Sequence, residues 1–300
     1  MSKKDLTSKI KLLKQIPGDG LLELAKNNEI EVPNQYKAEE LRETIAENVN
    51  FDVISSVYKE FKDAGNTTIH LFKFPMLVKL KNQDIINKLN KNNPKNKDFS
   101  ITKIENLKKE NKIKIRIRAK GKEISEIDAE TDEIVTFKPM IQILAILNLK
   151  DGFVEIRTRQ RKFATQTAVT LSKSLDNLQY EDISFDEVEI EQLIELSKTF
   201  RNTTIKPLDG GISSLRMTAT QKSDLNDEKI YNDRTKIIGE NVRTGVYLQF
   251  NIDREDDIRK IGCQFNANEG KIYFQTRVRE TEINYVLQHI KNIKNARLQT

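Results

Sequence analysis

The chain has 300 residues, with 51 Lys or Arg against 45 Asp or Glu and a formal net charge of +6. That length is ample for one large core or two to three smaller ones, and no apolar run approaches the roughly 18 residues of a membrane span. A single cysteine, Cys263, excludes an internal disulfide and a cysteine-built zinc site, and the two histidines, His70 and His289, stand far apart.

The charge is unevenly spread. Up to Lys120 there are 25 basic and 16 acidic residues, and after it 26 and 29. The positive excess therefore lies in the first two fifths, which favours an anionic partner. The opening MSKKDLTSKIKLLK lacks an apolar signal core, so the expectation is a cytoplasmic protein, nucleoid-associated if bacterial, with no membrane partner.

Residues 1–64 read as a helical domain. Leu6 to Ile16 is amphipathic; Leu21, Leu24 and Ala25 then share one face, Ile30 and Val32 alternate with acids up to Pro33, and Ala38, Leu41 and Ile45 form a second stripe. A last helix spans Phe51 to Lys62 and stops at Ala64-Gly65-Asn66. Residues 65–180 and 181–300 read as two α+β units. The first opens with a strand, Thr67 to Phe74, closed by Pro75, and a short helix over Asp84 to Leu89; residues 91–111 read as an exposed lysine-rich loop or a pair of loop-flanked turns.

Alternation then dominates. Lys112, Lys114, Arg116, Arg118 and Lys120 fall on one face of a strand whose other face carries Ile113, Ile115 and Ile117. In Phe153 to Arg161, Val154 and Ile156 are expected inward and Glu155, Arg157, Arg159 and Arg161 outward. In Lys271 to Arg279, Ile272, Phe274 and Val278 are expected inward and Lys271, Tyr273, Arg277 and Arg279 outward. GFVEIRTRQR from Gly152 and GKIYFQTRVR from Gly270 align without a gap, 118 residues apart, each ahead of a helix (Phe163 to Leu175, Thr281 to Ile293). The pattern predicts an α+β fold: a small all-helical N-terminal domain, then a largely antiparallel body built from a duplicated sheet-plus-helix unit. Between the copies, a helix is expected over Phe185 to Phe200, a turn at Gly210-Gly211, a strand from Ile212 to Ala219 and a charged loop from Gln221 to Thr235.

The stretch LLELAKNNEIEVPNQYKAEELRETI resembles the SAP/HeH/Rho-N group of helix-extended-helix domains, over about a tenth of the chain. The resemblance implies DNA-phosphate contacts at Lys26, Lys37 and Arg42. Glu29, Glu31, Glu39, Glu40 and Glu43 depart from a DNA-facing unit, and related domains also dock proteins. The order of helical head and basic sheet, with KIKLLKQIP and KIKIRIRAKG, is also similar in general features to the CENP-N kinetochore family over residues 9–176, with no residue carried over.

Site chemistry follows from these rows. The expected nucleic-acid-binding residues are Lys26, Lys37, Arg42, Lys112, Lys114, Arg116, Arg118, Lys120, Arg157, Arg159, Arg161, Arg277 and Arg279. They imply a non-enzymatic protein tracking the phosphates of double-stranded DNA, needing no cofactor and no metal. Charged faces that merely protect sheets, neutralised by Glu123, Glu126 and Asp128 across a hairpin, are the competing expectation for the rows. Few aromatics accompany the rows, Tyr273 being the clearest, which favours backbone contact with a duplex over base-stacking readout of single strands. Two other functions stay open: a metal-dependent nuclease of restriction type, with Glu155-Ile156-Arg157 and Asp128, Asp132 or Asp151, in which arginine would replace the proton-handling lysine; and a protein-assembly adaptor. The sequence leaves protein partners and oligomeric state open.

Overall fold

The computed structural model describes all residues except 1–2, 64–66, 95–97, 128–133, 208–212, 221–222, 230, 232, 234–240, 255–256 and 298–300. The expected helix end at 64–66, the Gly210-Gly211 turn, much of the charged loop, and Asp128 and Asp132 therefore lie outside the described residues.

The chain is α+β. Four helices come first: α1 (Lys3–Leu13), α2 (Gly18–Lys26), α3 (Ala38–Asn48) and α4 (Phe51–Lys62). Their expected stripes meet in one core of Leu13, Ile16, Leu21, Leu24, Leu41, Ile45, Ile54 and Phe61, with Ile30 and Val32 packed at its side. Gly20 lets α2 approach closely, since a methyl there would stand 2.8 Å from Ile16 and 2.9 Å from Phe61.

The remaining chain makes β1 (Thr68–Lys73), α5 (Asn82–Lys91), β2 (Phe99–Leu107), β3 (Lys112–Lys120), a small hairpin of β4 (Ile124–Ile127) and β5 (Ile134–Phe137), β6 (Met140–Asn148), β7 (Phe153–Arg157) and α6 (Arg161–Ser174). It continues with β8 (Glu181–Asp182), α7 (Glu187–Leu196), β9 (Thr199–Pro207), β10 (Leu215–Thr218), β11 (Asn241–Arg254), β12 (Asp257–Asn266), β13 (Lys271–Phe274) and α8 (Glu280–Arg297). All but β4 and β5 join one antiparallel sheet, in the order β10-β9-β11-β12-β13-β1-β7-β6-β3-β2, with β8 also on β1.

Residues 91–111 hold a nine-residue strand, β2, rather than a loop throughout. The helix expected to Phe200 ends at Leu196, and Phe200 lies in β9. The basic strands after Gly152 and Gly270 stop at Arg157 and Phe274, so Arg161 begins a helix instead of extending a strand.

Alternation along β1 decides where the helices sit. Ile69 and Leu71 join the core formed with α7 and α8, whereas Phe72 joins the core formed with α5 and α6. Because neighbouring residues of a strand point to opposite faces, the helices of the first half (β1–β7) and the second half (β8–β13) cover opposite faces of one continuous sheet. Each half is left with one face that its own helices do not cover. Those two faces are the places where a ligand could meet the sheet.

Candidate nucleic-acid interface

The uncovered face of the first half carries the cation row of β3, and the protein itself occupies it. Asp63, at the C-terminal end of α4, accepts hydrogen bonds from Lys114 at 2.5 Å and from Arg116 at 2.8 and 3.0 Å. Burial pushes the Asp63 carboxyl up, but the Arg116 and Lys114 hydrogen bonds outweigh it and hold the group below the usual carboxylate range. Lys112 stands 3.2 Å from Glu110 and donates to Asn284 of α8 at 3.3 Å. Arg116 also lies 3.5 Å from Glu105, and Lys120 lies 2.7 Å from Asp98. Arg118 is exposed. The neutralising acids come from the end of α4, from β2 and from the segments on either side of β2. Glu123, the hairpin acid expected to face the row, lies 3.6 Å from Lys138 instead.

Arg157 does not project outward. Its side chain is 2% exposed, gripping Glu280 at 2.6 and 2.7 Å and Glu155 at 3.2 Å, while donating to the Asp63 carbonyl at 3.1 Å. Burial favours its neutral form, yet the Glu280 and Glu155 carboxylates hold its pKa above the ordinary arginine value. Glu155 also meets Lys291 of α8 at 3.4 Å, and Lys291 stands 3.8 Å from Asp151. Lys114, Arg116, Arg157 and Lys291 thus face Asp63, Asp151, Glu155 and Glu280, a balanced set of charges between the strands, α8 and the helical head. Glu155 is 1% exposed within it, bonded to Arg157 and Lys291. Among the described residues no trio of His, Cys, Asp and Glu is placed to hold a metal.

The remaining expected contacts divide similarly. Arg279 is bound by Glu23 of α2 and lies 3.3 Å from Glu60 of α4, with its guanidinium 5.2 Å from the Phe61 ring centre. Arg277 donates to the Gln15 carbonyl at 3.0 Å, so these cations fasten the helical head to the body. Arg161 pairs with Asp182 at 2.5 Å and donates to the Glu269 carbonyl at 3.0 Å. In the head, Lys37 lies 3.2 Å from Glu40 and Arg42 lies 3.6 Å from Glu39, while Lys26 is exposed at the end of α2. Arg159 is exposed beside the second half's open face.

That second open face has a different chemistry. Strand register places Thr218, Asn202, Tyr247, Gln264, Tyr273 and Thr68 in one row across six strands. The adjacent row runs Arg216, Thr204, Gly245, Asn266, Lys271 and His70. Two hollows of about 550 and 520 Å³ lie along this face and share Gln264. A third, of about 330 Å³, continues from the first through Thr68 and Arg159. None of the described residues lining the three is Asp or Glu. Tyr273 is exposed, and the phenol end of Tyr247 covers Gly262, where any side chain would displace it.

Arg159, Arg216 and Lys271 form no ion pair among the described residues, whereas Arg201 donates to the Thr220 carbonyl at 2.6 Å. His70, which ends the second row, is fully buried on this side of β1, its Nε2 3.2 Å from the Thr158 carbonyl oxygen. Sequence reasoning placed Lys271 and Tyr273 on one outward face but missed their neighbours, which are mostly uncharged and come from five other strands. The sequence matches no family model, and a search of curated proteins finds no match. No helix among the described residues is long and apolar enough to cross a membrane.

Proposed function

We propose that this protein is a non-enzymatic nucleic-acid-binding protein whose ligand lies on the open sheet face of its second half. The observation that carries the reading is the trough with Arg159, Arg216 and Lys271 along it and no Asp or Glu among its described lining residues. Phosphates are drawn to cations that have no carboxylate competing for them, and the Asn, Gln, Thr and Tyr side chains between the cations offer hydrogen bonds to sugars and base edges. The double-stranded DNA contact expected of the β3 row and the helical head has weaker support, because Lys114, Arg116, Arg157 and Arg279 are engaged by the protein's own carboxylates. A surface ion pair is cheap to break, but the buried Arg157 cluster is not.

The test is a salt-titrated binding measurement with fluorescent oligonucleotides. Reversing Arg216 and Lys271 to Glu is expected to weaken binding. Neutralising the same two cations to Gln should flatten the dependence of log affinity on log salt by about 0.7 to 0.9 for each phosphate that no longer meets a cation. Absence of binding at low salt, or affinity untouched by the reversals, would sink the proposal.

A further inference from the structure

We infer that the trough takes a single strand of nucleic acid, laid across the β-strands with bases against Tyr247 and Tyr273 and phosphates at Arg216 and Lys271. This rests on the nucleic-acid reading above and names the form of the ligand.

Register carries the argument. Tyr247 and Tyr273 both pair with Gln264, one from each side, so the two phenols flank one carboxamide on one face. Strands about 4.8 Å apart put them about 10 Å from each other and make the six-strand row about 24 Å long, room for several nucleotides of an extended strand. Arg216 and Lys271 lie in the adjacent row, Lys271 on β13 beside Tyr273 and Arg216 on β10, two strands beyond Tyr247. Aromatic platforms spaced between cations suit a strand whose bases are unstacked and turned toward the protein. A duplex keeps its bases stacked inward and would leave both rings unused.

Hydrogen-bonding capacity agrees. Gln264 stands exposed between the rings, with Asn266 and Gln249 on the flanking rows. Each carboxamide offers donors and an acceptor to unpaired base edges, which a duplex backbone does not present. The helical head bonds through Asp63 to the other open face, that of the first half.

Fluorescence anisotropy of the full chain with an oligothymidine of about 12 nucleotides and a hairpin duplex of equal strand length separates the cases. The expected result is at least tenfold tighter binding of the single strand. Tyr273→Ala should weaken it about ten- to a hundredfold with the salt dependence unchanged, and Tyr273→Phe should stay near the unmodified chain. Equal or tighter duplex binding, or a Tyr273→Ala variant that binds like the unmodified chain, overturns the single-strand inference. In that event the nucleic-acid reading still stands if the Arg216 and Lys271 reversals weaken binding. No binding of either probe overturns both.

Discussion

Replacing Arg157 by Met separates a buried structural cation from a phosphate contact. The substitution keeps an extended side chain and removes the charge. It deletes the paired bonds to Glu280 at 2.6 and 2.7 Å and the bond to Glu155 at 3.2 Å. Glu155, 1% exposed, is then left with Lys291 at 3.4 Å as its cationic neighbour. Stripping one partner from a buried ion pair costs about 3–5 kcal/mol, because the remaining charge can neither hydrate nor move. An outward-facing arginine that only meets phosphates would change stability by no more than about 0.5 kcal/mol. Urea unfolding followed by far-ultraviolet circular dichroism measures the difference, with the exposed Arg159→Met as the matched control two residues along the chain. Adding Glu155→Gln to Arg157→Met should recover part of the loss, since the stranded charge is gone. An Arg157→Met variant within about 0.5 kcal/mol of the unmodified chain, yet impaired in nucleic-acid binding, would refute the buried-cluster argument.

Acid should destabilise the fold through His70. Burial, reinforced by the nearby Arg161 charge, lowers its pKa to about 4 from the ordinary 6.5. Between those values the unfolded chain binds the proton and the folded chain does not, so stability falls as the pH drops from about 6.5 toward 4, by about 2–3 kcal/mol for this group. His70→Gln should remove that part of the slope in urea titrations at pH 7.5 and 5, and an unchanged slope would contradict it. Gly152 and Gly270 sit at φ +71° and +55°, directly beneath the carbonyls of Phe74 and Ile183. Alanine at either should cost about 1–3 kcal/mol in the same assay, whereas Gly18→Ala, which points into open space, should be nearly neutral.

Much of the architecture was legible because it rests on unbroken periods. The 3.6-residue stripe of Phe51–Lys62 and the alternation of Lys112–Lys120 emerge with those bounds. Strands β2 and β9 were missed because each carries an irregular pairing. Between Ile101 and Lys103 the register skips Thr102, so the inward apolar positions change from Phe99 and Ile101 to Ile104. In β9 the pairing skips Arg201, which separates Phe200 from Ile205 by an odd number of residues. A bulge breaks the period that reveals a strand.

The site was less legible for another reason. Alternation says which residues share a face, not whether that face meets solvent, and for Lys114, Arg116 and Arg157 the answer depended on where α4 and α8 docked. The trough is assembled from Thr68, Asn202, Tyr247, Gln264 and Tyr273, distant in sequence and mostly neutral, so no local window marks it. Both aligned segments begin at a glycine of positive φ and run into a helix, which gives their likeness a geometric cause.

Photocrosslinking of the full chain to a single-stranded oligonucleotide carrying 5-iodouracil, with the attached peptides identified by mass spectrometry, tests the account most directly. Adducts on the β11 and β13 peptides containing Tyr247 and Tyr273, suppressed by unlabelled strand, are the expected result. Adducts confined to α2, α3 or the Lys112–Lys120 strand, with β11 and β13 untouched, would contradict it.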